Sequence, residues 1–411
     1  MKAKIAIWLS NPDKLVFSLL LLFLPTQLAF HFWPDWALVY GIRVDYLAPT
    51  LYFTDILTFV LLVLVAKKIH LSKKFLLLIF ILFNIVFAHI AQIAVLYWLR
   101  FLEGYFLVFY VSKNRKEILK NLETPLSLAI IYVSLIAFGQ FFLQKTIGGP
   151  LYWLGERSFN SSTPGIALAN YFGEILMRPY SIFPHPNALA GFLAVSIFLL
   201  ISQKTKKITT KTSIIFAVLV IFLTFSKTVW FASLFCLIIL LLRKHLNLKF
   251  LKIILFSIIT FTSLFFAFGK SPSKSEGIYK RFELSRVSLK IWESQPVFGV
   301  GLGNSITLLP TIAQKYPKII SPSVSWWLQP VHNIYLLILS ETGLVGFLLF
   351  LYLVIRIFRN SLKIKPALPA GRNWKLVISI MLILLTGLFD HYWLTIHQNF
   401  LLASILLGLL T

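Results

Sequence analysis

The chain has 411 residues, of which 58% are hydrophobic, 16% aromatic and only 13% charged. This composition excludes an ordinary soluble domain, in which about a quarter of the residues are charged. The net charge of +25 does not indicate a nucleic-acid partner, because most of the basic residues lie in short loops between long apolar runs. We therefore expect an all-α, polytopic membrane protein whose surroundings are a lipid bilayer.

Apolar runs of membrane-spanning length follow one another along the whole chain, which we treat as a single integral-membrane domain, residues 1–411. Twelve spans can be drawn from them. They are residues 14–33, 49–66, 74–90, 92–112, 124–146, 185–202, 212–226, 228–243, 250–268, 332–355, 374–391 and 395–411.

The loops between the runs differ in charge. Lys and Arg are concentrated in alternate loops, for example at Lys67-Lys68, Arg115-Lys116 and Lys206-Lys207. Basic loops stay on the cytoplasmic side of a membrane, so the pattern predicts cytoplasmic N- and C-termini. The two longest loops, residues 147–184 and 269–331, are then external, and any chemistry belongs on that face.

Two arginines in these loops are candidates for binding an anion. Arg178 lies just ahead of a span, in LMRPYSIFPHPNALAG, and Arg286 lies on a helix predicted over Ile278–Glu293. A guanidinium group holds phosphate oxygens in a planar fork and keeps its charge. The alternative for each is an arginine that contacts only solvent or lipid head groups.

His332 opens the span 332–355, where free backbone N–H groups favour anions. A histidine there can accept a proton from a hydroxyl or, when protonated, bind phosphate. The alternative is an interfacial histidine with a local hydrogen bond. His185, between two prolines, has the same ambiguity, and a structural turn is favoured. Glu341 lies nine residues beyond His332, with Gly343 and Gly346 permitting close helix approach.

Arg100 and Glu103 lie within the fourth span, three residues apart and so on one face of a helix. A charge inside a bilayer costs on the order of 3 kcal/mol, so such residues pair or line a polar cavity. The sequence supports an internal ion pair and a substrate-cavity wall equally.

Neither a metal site nor a cofactor site is expected. The acids of the predicted external loops are scattered, and no histidine cluster has ligand spacing. The alternating glycines of Gly299–Asn304 lack the strand and spacing of a dinucleotide fingerprint. We expect a tight loop there.

Four segments resemble, in the same order, motifs of the O-antigen ligase and polymerase superfamily. They run from about Met177 to Leu349 and are MRPYSIFPHPNALAG, LTFSKTVWFASLF, LSRVSLKIWESQPVFGVGLGNS and VHNIYLLILSETGLVGFLLF. In the second, Lys227-Thr228 replaces the usual Arg-Gly of the family. Each motif alone has low specificity, whereas the ordered set together with the topology is specific.

The resemblance implies a GT-C-like enzyme of the inner membrane that builds cell-envelope polysaccharide or lipopolysaccharide. Such an enzyme moves a glycan from an undecaprenyl-diphosphate carrier to an acceptor hydroxyl with inversion, without metal or nucleotide. By position, Arg178 and Arg286 would bind the diphosphate, and His332 would act as base or diphosphate ligand. The expected substrate-binding set comprises Arg281 (which the register of the helix leaves as a substitute for Arg286), His185, Asn187, Asn333, Glu341 and Arg100.

Three other functions remain open at this point. A polysaccharide polymerase and a protein O-oligosaccharyltransferase share the motifs and differ in acceptor. A flippase for lipid-linked sugars would predict inverted repeats and charges near mid-membrane. No repeat is found, and Arg100 with Glu103 forms the only strong intramembrane pair in the sequence.

Overall fold

The computed structural model describes residues 11–68, 75–203, 207–242, 276–363 and 370–411. These residues are mostly helical, which confirms the expected class. The helices are α1 (Pro12–Phe23), α2 (Phe53–Val65), α3 (Phe75–Val86), α4 (Ala91–Lys113), α5 (Arg115–Asn121), α6 (Glu123–Leu143), α7 (Pro186–Ser202), α8 (Ile208–Leu223), α9 (Lys227–Leu242), α10 (Glu276–Ser294), α11 (Leu309–Lys315), α12 (Ile334–Lys363), α13 (Ala370–Thr386), α14 (Tyr392–Thr395) and α15 (His397–Leu410).

The helices α4, α6 and α12 are long and apolar enough to cross a membrane, and seven shorter apolar helices have 10–17 residues. An integral membrane protein follows from these helices. The predicted run 250–268 lies outside the described residues, so the number of twelve spans and the GT-C-like architecture stay predictions. Some helices are shorter than their apolar runs for local reasons. The helix α1 ends at Phe23, because Pro25 has no N–H to continue the helical hydrogen bonds and its ring crowds the preceding turn.

The helix α7 lies at the centre of the bundle and is buried along nearly its whole length. Its small residues allow neighbouring elements to approach closely. At Gly191, an added Cβ would come 2.5 Å from the Tyr392 hydroxyl oxygen. The packing therefore fixes the start of α14 against the first two turns of α7.

Short strands interrupt the otherwise helical chain, which the all-α expectation did not include. Three antiparallel pairs form: β1 (Ala29–His31) with β4 (Thr50–Tyr52), β2 (Leu38–Val39) with β3 (Ile42–Arg43), and β5 (Leu168–Tyr171) with β6 (Glu174–Met177). The third lies within the predicted loop 147–184. That loop is held by Glu156, whose Oε1 accepts hydrogen bonds from Gln140 (2.7 Å) and from the Ile147 N–H (2.9 Å).

The loop 269–331 contains the helix predicted over Ile278–Glu293, observed as α10, Glu276–Ser294. The predicted tight turn at Gly299–Asn304 is also confirmed, with positive φ at Gly299, Gly301 and Gly303. This glycine loop packs against a break in α12, where Gly343 has a φ of 65°. An added Cβ on Gly299 would lie 2.4 Å from the Glu341 backbone carbon, so only glycine permits this contact.

Candidate active site

Asp390 is the centre of a hydrogen-bonded chain on one side of the bundle. It follows α13, and its carboxylate Oδ1 lies 3.4 Å from His332 Nδ1. Its Oδ2 accepts a hydrogen bond from Asn187 Nδ2 at 3.0 Å. Asn187 Oδ1 in turn accepts one from the Arg178 guanidinium at 2.6 Å. The structure thus brings together Arg178, Asn187 and His332, three of the residues selected from the sequence.

Sequence reasoning missed Asp390 and His391. They lie far beyond the last motif, and 58 residues separate Asp390 from His332. A signal was nevertheless available, since an acid–histidine pair between two apolar runs is costly unless it has a partner or a function.

The start of α7 positions Asn187 and explains His185. His185 is the N-cap residue of α7, and its Nδ1 accepts a hydrogen bond from the Asn187 N–H at 3.1 Å. Pro186 follows at the first helical position, where its missing N–H costs nothing. His185 therefore has the structural role that its flanking prolines favoured, and it orients the residue that joins Arg178 to Asp390.

Arg178 is fixed at both ends of its guanidinium group. Besides its bond to Asn187, its Nε donates to the Thr224 carbonyl at 2.5 Å. Thr224 follows α8, in the segment where Lys227-Thr228 departs from the usual family sequence. The arginine is therefore held rigidly, partly buried, beside the carboxylate of Asp390.

The two arginines of α10 lie on different faces of that helix. They are five residues apart, which places them roughly 140° apart around the axis. Arg281 shares a stripe with Ser288, whose hydroxyl donates to the Leu336 carbonyl of α12 at 3.0 Å. Its positive charge acts on Asp390 and His391.

Arg286 has a different partner. Its guanidinium forms an ion pair with Glu283 at 2.8 Å, and the second oxygen of Glu283 accepts a hydrogen bond from the Ser321 N–H at 2.7 Å. This pair ties α10 to the segment that precedes α12. Of the two registers that the sequence left open, the electrostatics favour Arg281 as the arginine whose charge acts on Asp390.

The surroundings of His391 and Asp390 determine the charge of each group. Burial lowers the pKa of His391 to about 3 against the opposing charge of Asp390, so this imidazole is neutral near pH 7. Its Nδ1 lies 2.6 Å from the Thr395 hydroxyl. Burial alone would raise the pKa of Asp390, but the hydrogen bond and charge of His332 outweigh it and hold that pKa well below its usual range. An ionised carboxylate therefore faces His332.

Asn333 caps the start of α12 with its side chain. Its Oδ1 accepts hydrogen bonds from the N–H groups of Tyr335 (2.9 Å) and Leu336 (3.1 Å), while the Ile334 N–H donates to the Gly387 carbonyl. These groups are the ones that the sequence offered as an anion site at the start of the helix. These N–H groups are therefore already bonded within the protein.

Glu341 binds the glycine loop to α12. Its Oε2 accepts a hydrogen bond from the Gly303 N–H at 2.8 Å, and its Oε1 accepts one from the Ser305 hydroxyl at 2.7 Å. Both carboxylate oxygens are thus used within the protein. Glu341 also lines the neighbouring cleft.

An apolar cleft of about 200 Å³ lies among α3, α4, α12 and α15, and Arg100 lines it. The guanidinium stacks over the rings of Tyr52 and Tyr97, at 5.7 Å and 5.6 Å. Among the described residues no ion pair joins Arg100 to Glu103, so the geometry favours the cavity wall. Pro330 and Thr395 line the same cleft and lead from it to His332 and His391.

Two groups of potential metal ligands occur in the described part of the chain, each with ligand atoms within 4.8 Å of one another. They are His332, Asp390 and His391, and Asp55, Glu103 and His397. In the first, the Asp390 oxygens already accept protein hydrogen bonds. In the second, His397 Nε2 lies 2.8 Å from Asp55 Oδ1. We interpret both as hydrogen-bonded histidine–carboxylate pairs. Sequence spacing could not reveal either group, because its members lie on different elements.

The model of the O-antigen ligase family matches residues 212–351. The chain carries an O-antigen ligase domain. The resemblance drawn from the motifs is confirmed over this stretch, which runs from α8 into α12 and includes Arg281, Arg286 and His332. Ligase- or polymerase-type chemistry on lipid-linked glycans is the function that this family supports. No curated protein matches the chain.

The O-antigen ligase domain does not contain the whole site. Arg178, Asn187 and Asp390 lie outside the matched residues, on elements before and after it. The fold therefore completes the site with residues from α7 and from the connection between α13 and α14.

Proposed function

We propose that the protein is an inverting, metal-independent glycosyltransferase of the inner membrane, with its active site on the external face. It would move a glycan from undecaprenyl diphosphate to an acceptor hydroxyl. The observation that supports this most directly is the chain from Arg178 through Asn187 and Asp390 to His332, together with the charge of Arg281 that acts on the same carboxylate.

The leaving group determines the role of the arginines. A departing diphosphate gains negative charge as the bond to the sugar breaks, and fixed cations stabilise that charge without reorganisation. Arg178 is already held by Asn187 and Thr224, so it is preorganised for this contact. Arg281 supplies a second positive charge from α10 that acts on Asp390.

His332 is the base. Its Nδ1 faces the ionised Asp390, so a proton on that nitrogen leaves Nε2 able to accept one from the acceptor hydroxyl. The hydroxyl oxygen then bonds to the anomeric carbon as the bond from that carbon to the diphosphate oxygen breaks. The proton moves to His332, and Asp390 stabilises the resulting imidazolium. Attack from the face opposite the diphosphate inverts the anomeric configuration.

The apolar cleft beside Arg100 provides room for the first isoprene units of a polyprenyl tail. It reaches the site at Pro330 and Thr395 and is mostly apolar, with Arg100, Glu341 and His397 among the polar side chains of its lining. A long isoprenoid chain lowers its free energy by burying apolar surface there. The cleft would thus hold the lipid of the donor while the diphosphate head group contacts the arginines.

The test is transfer in proteoliposomes supplied with a labelled lipid-diphosphate glycan and an acceptor. Wild-type protein should form a covalent glycan–acceptor product, and His332→Ala should lose it while still being made and inserted. Movement of the label across the bilayer without a covalent product would support the flippase instead. Normal transfer by both His332→Ala and Arg178→Ala would overturn the assignment. Product length separates a polymerase from a ligase, and glycan attached to protein identifies an oligosaccharyltransferase.

A further inference from the structure

The β-hairpin of β5 and β6 presents Phe172 at its tip, and the chain leads from β6 directly to Arg178 of the site. Its two turn residues, Phe172 and Gly173, both have positive φ, at 51° and 104°. Two-residue turns of this type favour Asn-Gly, because a bulky residue in the left-handed region is strained. Asn170 Oδ1 accepts a hydrogen bond from the Gly173 N–H at 2.8 Å and stabilises the turn. The sequence thus places an aromatic ring where the backbone disfavours one.

The tip is strongly exposed and apolar. The exposed fraction of Phe172 is 109%, and that of Ile175 is 68%. Glu174 pairs across the hairpin with Tyr171, so it points to the opposite face from Ile175. Large apolar residues clustered on a protruding loop are unfavourable in water and indicate a partner.

The packing of Tyr171 fixes the position of the hairpin at the ends of two helices. Its ring lies 5.3 Å from that of Phe141, near the end of α6, and 4.9 Å from that of Phe225, just beyond α8. Its hydroxyl also donates to the Leu223 carbonyl. Both helices end here on the side of the bundle that carries the site, so the hairpin lies where their apolar surfaces reach the edge of the bilayer.

The surroundings fit a lipid surface. The apolar residues Phe142 and Phe222, at the ends of the same two helices, are 76% and 58% exposed, so the lipid-facing surface continues onto the hairpin. Lys145 and Lys227 are exposed nearby, and Lys227 Nζ lies 5.9 Å from the ring centroid of Phe225. Cations beside an apolar surface at this depth attract anionic head groups. A bilayer surface is therefore the partner that the hairpin fits.

We propose that the hairpin inserts Phe172 and Ile175 into the bilayer surface and thereby holds Arg178 at the depth of the lipid phosphates. The hairpin connects rigidly to the arginine. Arg178 directly follows β6, its N–H donates to the Ala167 carbonyl at 3.0 Å, and the Met177 N–H donates to Gln144 Oε1 at 2.6 Å. The proposed insertion rests only on the geometry of the hairpin, whereas its consequence for Arg178 rests on the proposed function.

An environment-sensitive label measures the insertion directly. The chain has a single cysteine, the buried Cys236, so Cys236→Ala gives a background in which Phe172→Cys can be labelled with a nitrobenzoxadiazole fluorophore. In proteoliposomes we expect blue-shifted emission that spin-labelled lipids quench and aqueous iodide does not. Ser162→Cys, on an exposed polar turn, is the control and should be quenched by iodide. Iodide quenching at both positions to the same extent would overturn the proposal.

A kinetic measurement separates this proposal from the function itself. Replacing both apolar residues (Phe172→Ser with Ile175→Ser) should raise the apparent KM for a long-chain donor severalfold and leave kcat unchanged, while Phe172→Leu should behave as wild type. Arg178→Ala in the labelled protein should lose transfer and keep the lipid quenching. Lipid quenching with an unchanged KM would overturn the link to Arg178, and normal transfer by Arg178→Ala would overturn its catalytic role alone.

Discussion

Two histidine–carboxylate pairs in this protein have similar chemistry and different surroundings. His332 lies 3.4 Å from Asp390, and its side chain is 20% exposed. His397 lies 2.8 Å from Asp55, and its side chain is only 2% exposed and stacks on Tyr52 at 4.2 Å between ring centroids. In the first pair the histidine is the more exposed partner, whereas in the second it is the carboxylate, with Asp390 10% and Asp55 24% exposed. The charges of Arg178 and Arg281 act on the first pair, and Arg100 stacks over Tyr52 beside the second. We therefore expect His332, the more accessible of the two histidines, to be the one that contacts a substrate.

Matched substitutions of the two carboxylates should separate the pairs most clearly. Asp390→Asn should reduce transfer by about a hundredfold, because general-base catalysis contributes about 10²–10⁴ and His332 would lose the charge that stabilises its imidazolium. Asp55→Asn should reduce it far less and mainly lower the thermal stability. Initial rates and melting curves on the same preparations provide the comparison. Equal losses of transfer would mean that both pairs act on the substrate.

Substitution of the two arginines of α10 should likewise separate an effect on transfer from an effect on stability. Arg281→Ala should reduce transfer at least about tenfold, the equivalent of one lost interaction of about 1.4 kcal/mol, since its charge faces Asp390. Arg286→Ala should lower the melting temperature instead, because it leaves Glu283, 3% exposed in its side chain, without its cation. Donor titrations combined with thermal unfolding distinguish these outcomes. A larger transfer defect for Arg286→Ala would restore the register first expected from the motif.

His391 should make the folded state sensitive to acid. Its pKa is lowered from 6.5 to about 3 by burial, so the unfolded chain binds more protons between those values. Stability then rises with pH across this window and is lost as the pH falls from about 6.5 towards 3. The Asp390 carboxyl, with its lowered pKa, adds a loss of the same sign only below about pH 4. Melting temperatures of His391→Gln between pH 6.5 and 4.5 should show a shallower slope than wild type. An identical slope would contradict the assignment.

Substitution of Glu341 by Gln should have the smallest effect on transfer. Glu341→Gln keeps one oxygen for the Gly303 N–H or the Ser305 hydroxyl, so we expect near-normal rates and a modest loss of stability. Glu341→Ala leaves those donors unpaired in a buried position, which typically costs about 1–3 kcal/mol. Chemical denaturation of both variants measures the difference. A strong transfer defect in the stable Gln variant would show instead that this carboxylate meets the substrate.

The sequence predicted local features well, because short-range patterns control them. Apolar runs predicted helices, the segment 278–293 predicted α10, and the alternating glycines predicted a tight turn. Pro184 and Pro186 on either side of His185 indicated the turn that begins α7. The motifs identified the family over residues 212–351 and selected Arg178 and His332, which the fold brings to one carboxylate.

The sequence did not predict the long-range contacts. The sequence by itself determined that this is a helical membrane protein with an O-antigen ligase domain, since hydrophobicity and motifs are properties of neighbouring residues. Only the tertiary structure placed Asp390 between Asn187 and His332, brought the charge of Arg281 to act on it, and gave Arg100 the rings of Tyr52 and Tyr97 as neighbours. The physical reason is that these relations depend on the packing of α7, α10, α12 and α13, which close contacts at residues such as Gly191 and Gly299 fix and linear spacing does not encode.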